Sequence, residues 1–495
     1  MRLTVKGDIS PFYVQTLCLL FYPGSRFSDR SDDGISVDVT LNKDNGSLNS
    51  SVVIDDGVGE YRGSYSLPLS AQLSRPSMAE KIALGKAFLE AGKKATGTVP
   101  PWGILTGVRP SKLARWDIER GLTVEEAADV FRKDYSVSAD KAKLSCSVAQ
   151  AELKLLNSSL YGKCSVYIAI PFCPTRCSYC SFVSFTSERL LSLIPEYLET
   201  LKGEIVRTAE LIRRLGMDVS TVYIGGGTPT VLNEDQLDSL LDCICASFDV
   251  RSLMEFTLEA GRPDTITEAK MKSAVSHGVT RVSVNTQTLN DSVLSHIGRK
   301  HTSADFFDAY RIARESGVRD INVDLIAGLP RDDSDSFSDT LDRVAALNPE
   351  NITVHAFCVK KSADMRQSGD YDLRDAHAAR SVAYAQRALD AKGYIPYYMY
   401  RQKNAVGNLE NVGYSIPGHE GLYNVLMMEE IQSIFAVGAS AVTKLVKTDR
   451  NGKPAIKRIA ENKYPYEYLR EKNGDDAEEL FEKKSNDICS FFFDE

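Results

Sequence analysis

The sequence has no long hydrophobic run, no excess of basic charge and no low-complexity linker. The longest apolar run near the start, FYVQTLCLLFY, is too short and too polar to cross a bilayer. Met1 is followed by RLTVKGD rather than by the apolar segment of a secretory signal. The formal net charge is −8, whereas nucleic-acid binders usually carry a basic footprint. We therefore expect a cytoplasmic protein with no membrane span and no nucleic-acid partner.

The composition is otherwise that of an ordinary globular protein. Hydrophobic residues make up 43% and charged residues 25% of 495 residues, a length that allows about two to four domains. In the cytoplasm, the ten cysteines are more often thiols or metal ligands than disulfides.

Residues 1–160 are predicted to form a small α+β region. GISVDVTLN, SVVIDD and GVGEYRGSYSL alternate apolar and polar positions and are separated by Asn-Gly and Asp-Gly, which predicts an antiparallel meander. SMAEKIALGKAFLEAGKKATG has the spacing of a helix, with a serine at the expected N-cap and a glycine at the end.

Residues 161–375 change to short apolar runs that alternate with helical stretches. The six runs are SVYIAI, TVYIGG, EFTLEA, RVSVNT, INVDLIAG and NITVHAFCV. This alternation predicts an α/β fold of parallel βαβ units, as a barrel or a doubly wound sheet. Functional residues in either fold lie at the C-terminal ends of strands, where the cysteines and the most conspicuous polar residues of this chain fall.

Residues 376–495 predict a third, mainly helical region. It contains a helical stretch, one strand candidate, YIPYYMY, and further helices. The acidic segment NGDDAEELFEKKSND is predicted to be a solvated helix.

The segment AIPFCPTRCSYC carries three closely spaced cysteines, Cys173, Cys177 and Cys180. A structural zinc site takes four ligands, and no second Cys-x2-Cys pair exists in the chain. Zinc with a distant fourth ligand is one interpretation. The other is a 4Fe–4S cluster, on which three thiolates leave one iron open to a chelating small molecule.

The spacing Cys-x3-Cys-x2-Cys resembles the signature of the radical S-adenosylmethionine (SAM) superfamily. This resemblance implies a partial (β/α)6 barrel of TIM type, with the three cysteines holding a 4Fe–4S cluster. It also implies that the methionine end of SAM binds the open iron. One electron then cleaves the sulfonium to methionine and a 5′-deoxyadenosyl radical.

Over about Ser165 to Lys444 the chain resembles the oxygen-independent coproporphyrinogen III oxidases, or coproporphyrinogen dehydrogenases, and most of all their HemZ-type branch. The resemblance implies cofactor contacts from Tyr167, Tyr179, Gly226, Gly227, Thr228, Glu259, Gln287, Arg299, Asp324, Cys358 and Val442. In the glycine run YIGGGTPT, exposed N–H groups are expected to bind the cofactor carboxylate.

Two positions depart from that family pattern. Ala169 in YIAIPFC replaces the usual histidine, so the role of that histidine cannot be carried over. Glu259 is followed by Ala-Gly-Arg-Pro rather than by Asn-Pro.

The resemblance implies that two propionates of coproporphyrinogen III become vinyl groups, which gives protoporphyrinogen IX for haem biosynthesis. It implies a tetrapyrrole substrate, one or two molecules of SAM, and a low-potential electron donor such as flavodoxin or ferredoxin. No catalytic side chain is assigned beyond the cluster and cofactor. A tetra-anionic substrate needs cations, for which Arg109, Arg262 and Lys300 are candidates.

Besides zinc, two other functions stay open at this point: a haem chaperone of the same superfamily, and a radical enzyme with another tetrapyrrole substrate, such as an anaerobic haem-opening methyltransferase. The chaperones carry His-Asn-x-x-Tyr-Trp after a Pro-Gly-His-Glu-like stretch. In PGHEGLYNVLMM the histidine position is Tyr423, Asn424 is kept, and Met427 and Met428 replace the aromatic pair. Tyrosine can also bind ferric haem, so this difference weakens the chaperone interpretation without excluding it.

Overall fold

The computed structural model describes residues 1–28, 34–180, 184–359, 363, 365, 369, 371–373, 376–403, 405–448 and 454–493. Internal contacts divide the chain into two compact units. The first unit comprises Met1–Leu153, Asp372–Ala379 and Met399–Asn411, and the second comprises Lys154–Tyr371, Arg380–Tyr398 and Val412–Glu495. The predicted domain boundaries after residues 160 and 375 stay predictions.

The first unit contains a four-stranded sheet in the order β1-β2-β3-β4. The strands are β1 (Arg2–Lys6), β2 (Ser36–Asp44), β3 (Ser47–Asp55) and β4 (Glu60–Pro68). Strands β2 to β4 form the predicted antiparallel meander, and β1 pairs in parallel with β2. Asn45 and Gly46 make the turn between β2 and β3 with φ of 50° and 74°.

The described N-terminal part of the first unit also contains the helices α1 (Pro11–Phe21), α2 (Ala79–Thr96), α3 (Pro110–Glu119), α4 (Val124–Tyr135) and α5 (Ala139–Leu155), the last two residues of which lie in the second unit. Leu84 and Phe88 of α2 share one apolar core with Val52 and Ile54 of β3. The predicted serine cap of α2 is wrong, because Met78 occupies the N-cap without a side-chain hydrogen bond. The glycine end is as predicted, since Gly97 follows the helix with φ of 69°.

Most of the second unit's strands belong to an eleven-stranded sheet in the order β11-β12-β10-β9-β8-β7-β6-β5-β13-β14-β15, of which Met399–Arg401 in β11 and Glu410–Asn411 in β12 are counted in the first unit. Its strands are β5 (Cys164–Ile170), β6 (Val219–Gly226), β7 (Glu255–Glu259), β8 (Arg281–Ser283), β9 (Asp320–Ala327), β10 (Asn351–Ala356), β11 (Ile395–Arg401), β12 (Glu410–Ser415), β13 (Ser433–Val437), β14 (Val442–Thr448) and β15 (Pro454–Ala460). Strands β5 to β10 pair consecutively and in parallel, which confirms the predicted six-fold βα series.

Helices follow the strands of this series as the sequence predicted. They are α6 (Glu188–Leu191), α7 (Ile194–Arg214), α8 (Glu234–Ser247), α9 (Glu268–Ser276), α10 (Asp291–His296), α11 (Ser303–Glu315) and α12 (Ser334–Ala345). Side-chain caps fix where several begin: Asn233 and Gln236 form a capping box on α8, and Thr302 and Asp305 do so on α11.

The described C-terminal residues form α13 (Ala376–Ala391), α14 (Leu422–Glu429), α15 (Pro465–Lys472) and α16 (Ala477–Phe493), and helices outweigh strands among them. The sequence did not reveal that this part supplies both edges of the large sheet. Strand β13 pairs in parallel with β5, and β12 pairs antiparallel with β10. No helix in the described ranges has the length and apolar character needed to span a membrane.

Candidate active site

Five strands of the parallel series are almost wholly buried, and each keeps a polar or aromatic side chain that is only partly buried. These residues are Tyr167 in β5, Tyr223 in β6, Glu259 in β7, Asp324 in β9 and His355 in β10. The rings of Tyr167 and Tyr223 stack with centroids 5.9 Å apart. The Tyr223 hydroxyl donates to Glu259 Oε1 over 2.5 Å, and His355 Nε2 lies 3.8 Å from Asp324 Oδ2. These side chains therefore share one interior space at the sheet.

The cysteine loop follows the C-terminal end of β5, the strand that carries Tyr167. Cys173 and Cys177 are buried and Cys180 is half-buried. The loop is held by backbone hydrogen bonds from Cys173 N to Phe185 O, 3.1 Å, and from Ser178 N to Ile297 O, 3.0 Å.

The donor set, three thiols in one loop, is of the kind that holds a 4Fe–4S cluster. Within the described ranges, no group of three or more His, Cys, Asp or Glu residues is arranged to hold one metal ion. A 4Fe–4S cluster spreads its thiolates over different irons. Burial raises the pKa of the Cys173 thiol, although the side-chain hydrogen bond to Thr228 opposes this rise. A cluster bound there would supply the positive charge that keeps this sulfur ionised.

The glycine motif after β6 serves close packing against the cysteine loop. Gly226 has φ of 112°, and a Cβ on Gly227 would lie 2.5 Å from Phe172 O. Gly227 N donates to Ile170 O over 2.7 Å, and Thr228 N donates to Phe172 O over 2.8 Å. The expectation that these N–H groups are exposed for a ligand carboxylate is therefore wrong for Gly227 and Thr228. They bind the strand and loop that lead to Cys173.

Glu259 has an unusual electrostatic setting. Burial raises the pKa of Glu259 to about 7, and the nearby charge of Asp324 adds to that rise, while hydrogen bonds from Tyr223 and from the Gly226 N–H oppose it. The carboxyl group is therefore close to half ionised at neutral pH. A cationic ligand group beside it would favour the ionised form.

Asp324 is only half-buried and is surrounded by hydrogen-bond donors. Asn285 Nδ2 donates to Asp324 Oδ2 over 2.9 Å, and Asn322 Nδ2 donates to Asp324 Oδ1 over 2.8 Å. Burial alone would raise the pKa of Asp324, but hydrogen bonds from His355, Asn322 and Thr353 outweigh it, and the pKa falls below its ordinary value. Asp324 is therefore ionised at neutral pH and offers acceptor oxygens to a ligand.

Gln287 takes a left-handed backbone conformation, with φ of 73°. Its N–H donates to Asp324 O, and its carbonyl accepts from Ile326 N, both over 3.0 Å. The segment after β8 is thus fastened to β9. Asn285 lies two residues earlier in the same segment. Sequence reasoning missed Asn285, although its place near the C-terminal end of the predicted strand RVSVNT was a usable signal.

Arg299 is buried rather than exposed on the surface. It donates to the Tyr179 hydroxyl over 3.1 Å, to Gly261 O over 2.7 Å and to Asn285 O over 2.8 Å. The guanidinium thereby connects the cysteine loop with the segments after β7 and β8. A direct ligand contact would have to use the donors that remain, such as the buried Nε–H.

Val442 lies at the start of β14 with 44% of its surface exposed. The neighbouring Ala441 is the residue that packs beside Tyr167, in a cluster with Ala169 and Ala436. Ala169 thus replaces the usual histidine at a position that small side chains fill.

The remaining predicted contacts are scattered. Cys358 is half-buried just after β10. Lys300 is exposed, and Arg109 precedes α3 in the first unit. Arg262 is buried and its side chain donates to Thr175 O in the cysteine loop, and its contact with the substrate stays a prediction.

Tyr423 is a site residue whose place in the pocket the sequence did not reveal. Glu255, the first residue of β7, accepts hydrogen bonds from the N–H groups of Leu422, 2.7 Å, and Tyr423, 3.3 Å, at the start of α14. This places the buried Tyr423 ring 4.5 Å from the ring of Tyr223 and 6.3 Å from that of Tyr167. Three stacked tyrosines therefore form one wall of the site.

The chain is similar to known proteins across this site. The model of the radical SAM superfamily matches residues 167–344. The chain is 36% identical over 423 residues to the oxygen-independent coproporphyrinogen-III oxidase-like protein HemZ of Bacillus subtilis, which covers 83% of this chain and 84% of that protein. It is 31% identical over 310 residues to the haem chaperone HemW of the same organism, covering 61% of this chain and 77% of HemW.

Among solved structures, the coproporphyrinogen III oxidase HemN of Escherichia coli, a radical SAM enzyme, shares the fold. Its TM-score is 0.50 at 24% identity, over 66% of this chain and 71% of that chain. Fold and sequence together define the class as a radical SAM protein, with a 4Fe–4S cluster and SAM as cofactors. Within that class, the chain belongs to the family of coproporphyrinogen III oxidase-like proteins that includes HemZ.

Proposed function

We propose that this protein converts two propionates of coproporphyrinogen III to vinyl groups without oxygen, and that Cys173, Cys177 and Cys180 hold its cluster. The observation that carries this proposal is the interior space that Tyr167, Glu259 and Asp324 share on the strands of the series, with the cysteine loop following the strand of Tyr167. The similarity to HemZ over most of both chains supports the tetrapyrrole substrate.

When bound, the cluster and SAM would supply a 5′-deoxyadenosyl radical, the species that can take a β-hydrogen atom from a propionate before its carboxyl group leaves as CO2. In our proposal the chain binds and orients the reactants. Glu259 receives the cationic amino group of SAM, which favours the ionised carboxylate. Asp324 accepts hydrogen bonds from ligand donors, and its donors Asn285 and Asn322 hold it in place.

The tyrosine wall has a separate role in this proposal. Tyr167, Tyr223 and Tyr423 present flat aromatic faces to the site and keep water away from the reacting carbon. A radical at that carbon needs such exclusion, because side reactions compete with decarboxylation.

Haem trafficking is the second candidate function, since HemW relatives match much of the chain. The enclosed position of Tyr423 favours the enzyme. Its ring is 5% exposed and lies against Tyr223, whereas an axial haem ligand must be able to reach the iron of a large planar group.

The direct test is an anaerobic assay with coproporphyrinogen III, SAM and a chemically reduced flavodoxin. We expect protoporphyrinogen IX, with one 5′-deoxyadenosine per vinyl group formed. SAM cleavage without any vinyl product would point to another substrate. Absence of both, with cluster present, would contradict the proposed function.

A further inference from the structure

Arg262 makes a contact with the cysteine loop that the sequence did not suggest. It lies three residues after Glu259, where the chain reads Ala-Gly-Arg-Pro. Nε and Nη2 face Oδ1 and Oδ2 of Asp264 at 3.1 and 3.3 Å. Nη2 also donates to Thr175 Oγ1 over 2.8 Å, while Nη1 donates to Thr175 O over 3.2 Å and lies 3.8 Å from Cys177 Sγ. The guanidinium therefore holds Asp264 on one edge and the cysteine loop on the other.

This arrangement requires arginine. A planar fork can bind a carboxylate with one edge and still direct donors to a carbonyl and a sulfur, whereas a lysine ammonium offers one point of charge. The loop is held a second time at Tyr179, by the buried Arg299. Two buried arginines thus fix the loop on both sides of Cys177.

At Cys177, the positive charge of Arg262 has a stronger effect than the negative charge of its ion-pair partner Asp264. The Arg262 side chain is 4% exposed and Asp264 is 29% exposed, so water screens the carboxylate but not the guanidinium. A buried cation and a hydrogen bond at a ligating sulfur both stabilise the more negative, reduced cluster. Removal of this charge should therefore make the cluster harder to reduce.

We propose that Arg262 is a positioning residue of the cluster, which clasps the loop between the first two cysteines and raises the reduction potential through its charge beside Cys177. The inference depends on the proposed ligation by the three cysteines. It gives a role to the arginine of Ala-Gly-Arg-Pro, the stretch that follows Glu259 in this chain in place of the usual Asn-Pro.

Three variants separate the effect of the Arg262 charge from the effect of its hydrogen bonds to the cysteine loop. R262Q removes both, and R262K keeps the charge without the planar guanidinium. T175V removes only the hydrogen bond to the Thr175 hydroxyl. Arg251 is exposed and serves as control through R251Q. After anaerobic reconstitution, iron and sulfide per chain, the potential from a redox titration followed by electron paramagnetic resonance, and the rate of cluster loss in air are measured.

For R262Q we expect the ratio of reduced to oxidised cluster at a fixed potential to fall about tenfold, a shift of about 59 mV for a one-electron couple. R262K and T175V should keep a potential close to wild type but lose the cluster several times faster in air. R251Q should change neither property.

A wild-type potential in R262Q would overturn the charge role, and wild-type cluster retention in R262K and T175V would overturn the clasp. If R262Q takes up no cluster, R262K decides, because it keeps the charge without the fork; a potential lowered as far as that expected for R262Q, or wild-type cluster retention, overturns the proposal. Wild-type protein without cluster iron would overturn the cysteine assignment itself, an outcome distinct from an unshifted R262Q.

Discussion

Glu259 illustrates how burial sets the behaviour of a single residue in this site. Its folded pKa of about 7 exceeds the ordinary value of 4.5. Between these pH values the folded chain binds a proton that the unfolded chain has released. The contribution of Glu259 to stability therefore falls as the pH rises from 4.5 through about 7, and it stays low above that pH.

This dependence predicts the behaviour of E259Q without SAM. At pH 5 the variant should unfold at nearly the wild-type temperature, because Gln resembles the protonated acid. At pH 8 it should unfold at a higher temperature than wild type. SAM binding should be weaker by about tenfold or more, since the charged partner of the amino group is lost.

Differential scanning fluorimetry at both pH values and equilibrium binding of SAM provide the measurements. The exposed Glu210, changed to Gln, is the matched control and should alter neither. An equal temperature difference at pH 5 and pH 8 would show that Glu259 does not titrate in this range.

The three cysteines give a second prediction for single residues. Replacement of Cys173, Cys177 or Cys180 by Ser should abolish the cluster and SAM cleavage, because each thiolate ligates its own iron. C245S is the control, since that half-buried thiol lies in α8 against His277 O. Iron and sulfide analysis after anaerobic purification measures the result, and full cluster content in the triple variant would refute the assignment.

At the scale of single residues, the sequence allowed prediction of those site residues that lie in recognisable motifs. Glu259, Asp324 and Tyr167 were predicted to be in the site, and the structure brings them together. Tyr423 and Arg262 were assigned other roles. Their contacts come from segments far apart in sequence, so that no local spacing encodes them: Tyr423 reaches Tyr223 from a helix about 200 residues later in the chain.

Among the structural elements, the glycine motif shows how a strand end supports a loop. A methyl group on Gly227 would lie 2.5 Å from Phe172 O, which is backbone and cannot rotate away. We expect G227A to displace the cysteine loop, at a cost of about 1–3 kcal/mol of stability.

G203A is the matched control, because Gly203 lies in α7 and has no atom within 4 Å of an added Cβ. That change should stabilise the helix by about 0.5–1 kcal/mol. Thermal unfolding and cluster iron per chain distinguish the two variants. Wild-type iron content in G227A would contradict the packing role of the motif.

The positions of the strands were more predictable from the sequence than the order in which the strands pair. The six apolar runs are all strands, because a parallel strand buried on both faces reads as continuous hydrophobic sequence. The pairing of β13 with β5 was not predicted. Strand partners depend on tertiary packing, and the two strands are separated by more than 260 residues in the chain.

On the scale of the whole molecule, the C-terminal part helps to build the site. The first N–H groups of helix α14 donate to the carboxylate of Glu255, which positions Tyr423 in the tyrosine wall. Tyr423 also occupies the position at which, by sequence, the chaperones carry their histidine. The same residue therefore separates the two candidate functions.

We expect purified protein titrated with haem to show no Soret shift that saturates at one equivalent.

Y423A should lower vinyl formation by about tenfold or more, because loss of the stacked ring lets substrate and cofactor shift relative to each other. Y423F, which keeps the ring, should retain most activity, and Y466A, at an exposed tyrosine, should retain all of it. A Soret shift that saturates at one equivalent and disappears in Y423A, in a protein that forms no vinyl product, would identify a chaperone. The enclosed ring, 4.5 Å from Tyr223, favours the enzyme because a residue packed this way can shape a reaction chamber but has little freedom to reach an iron.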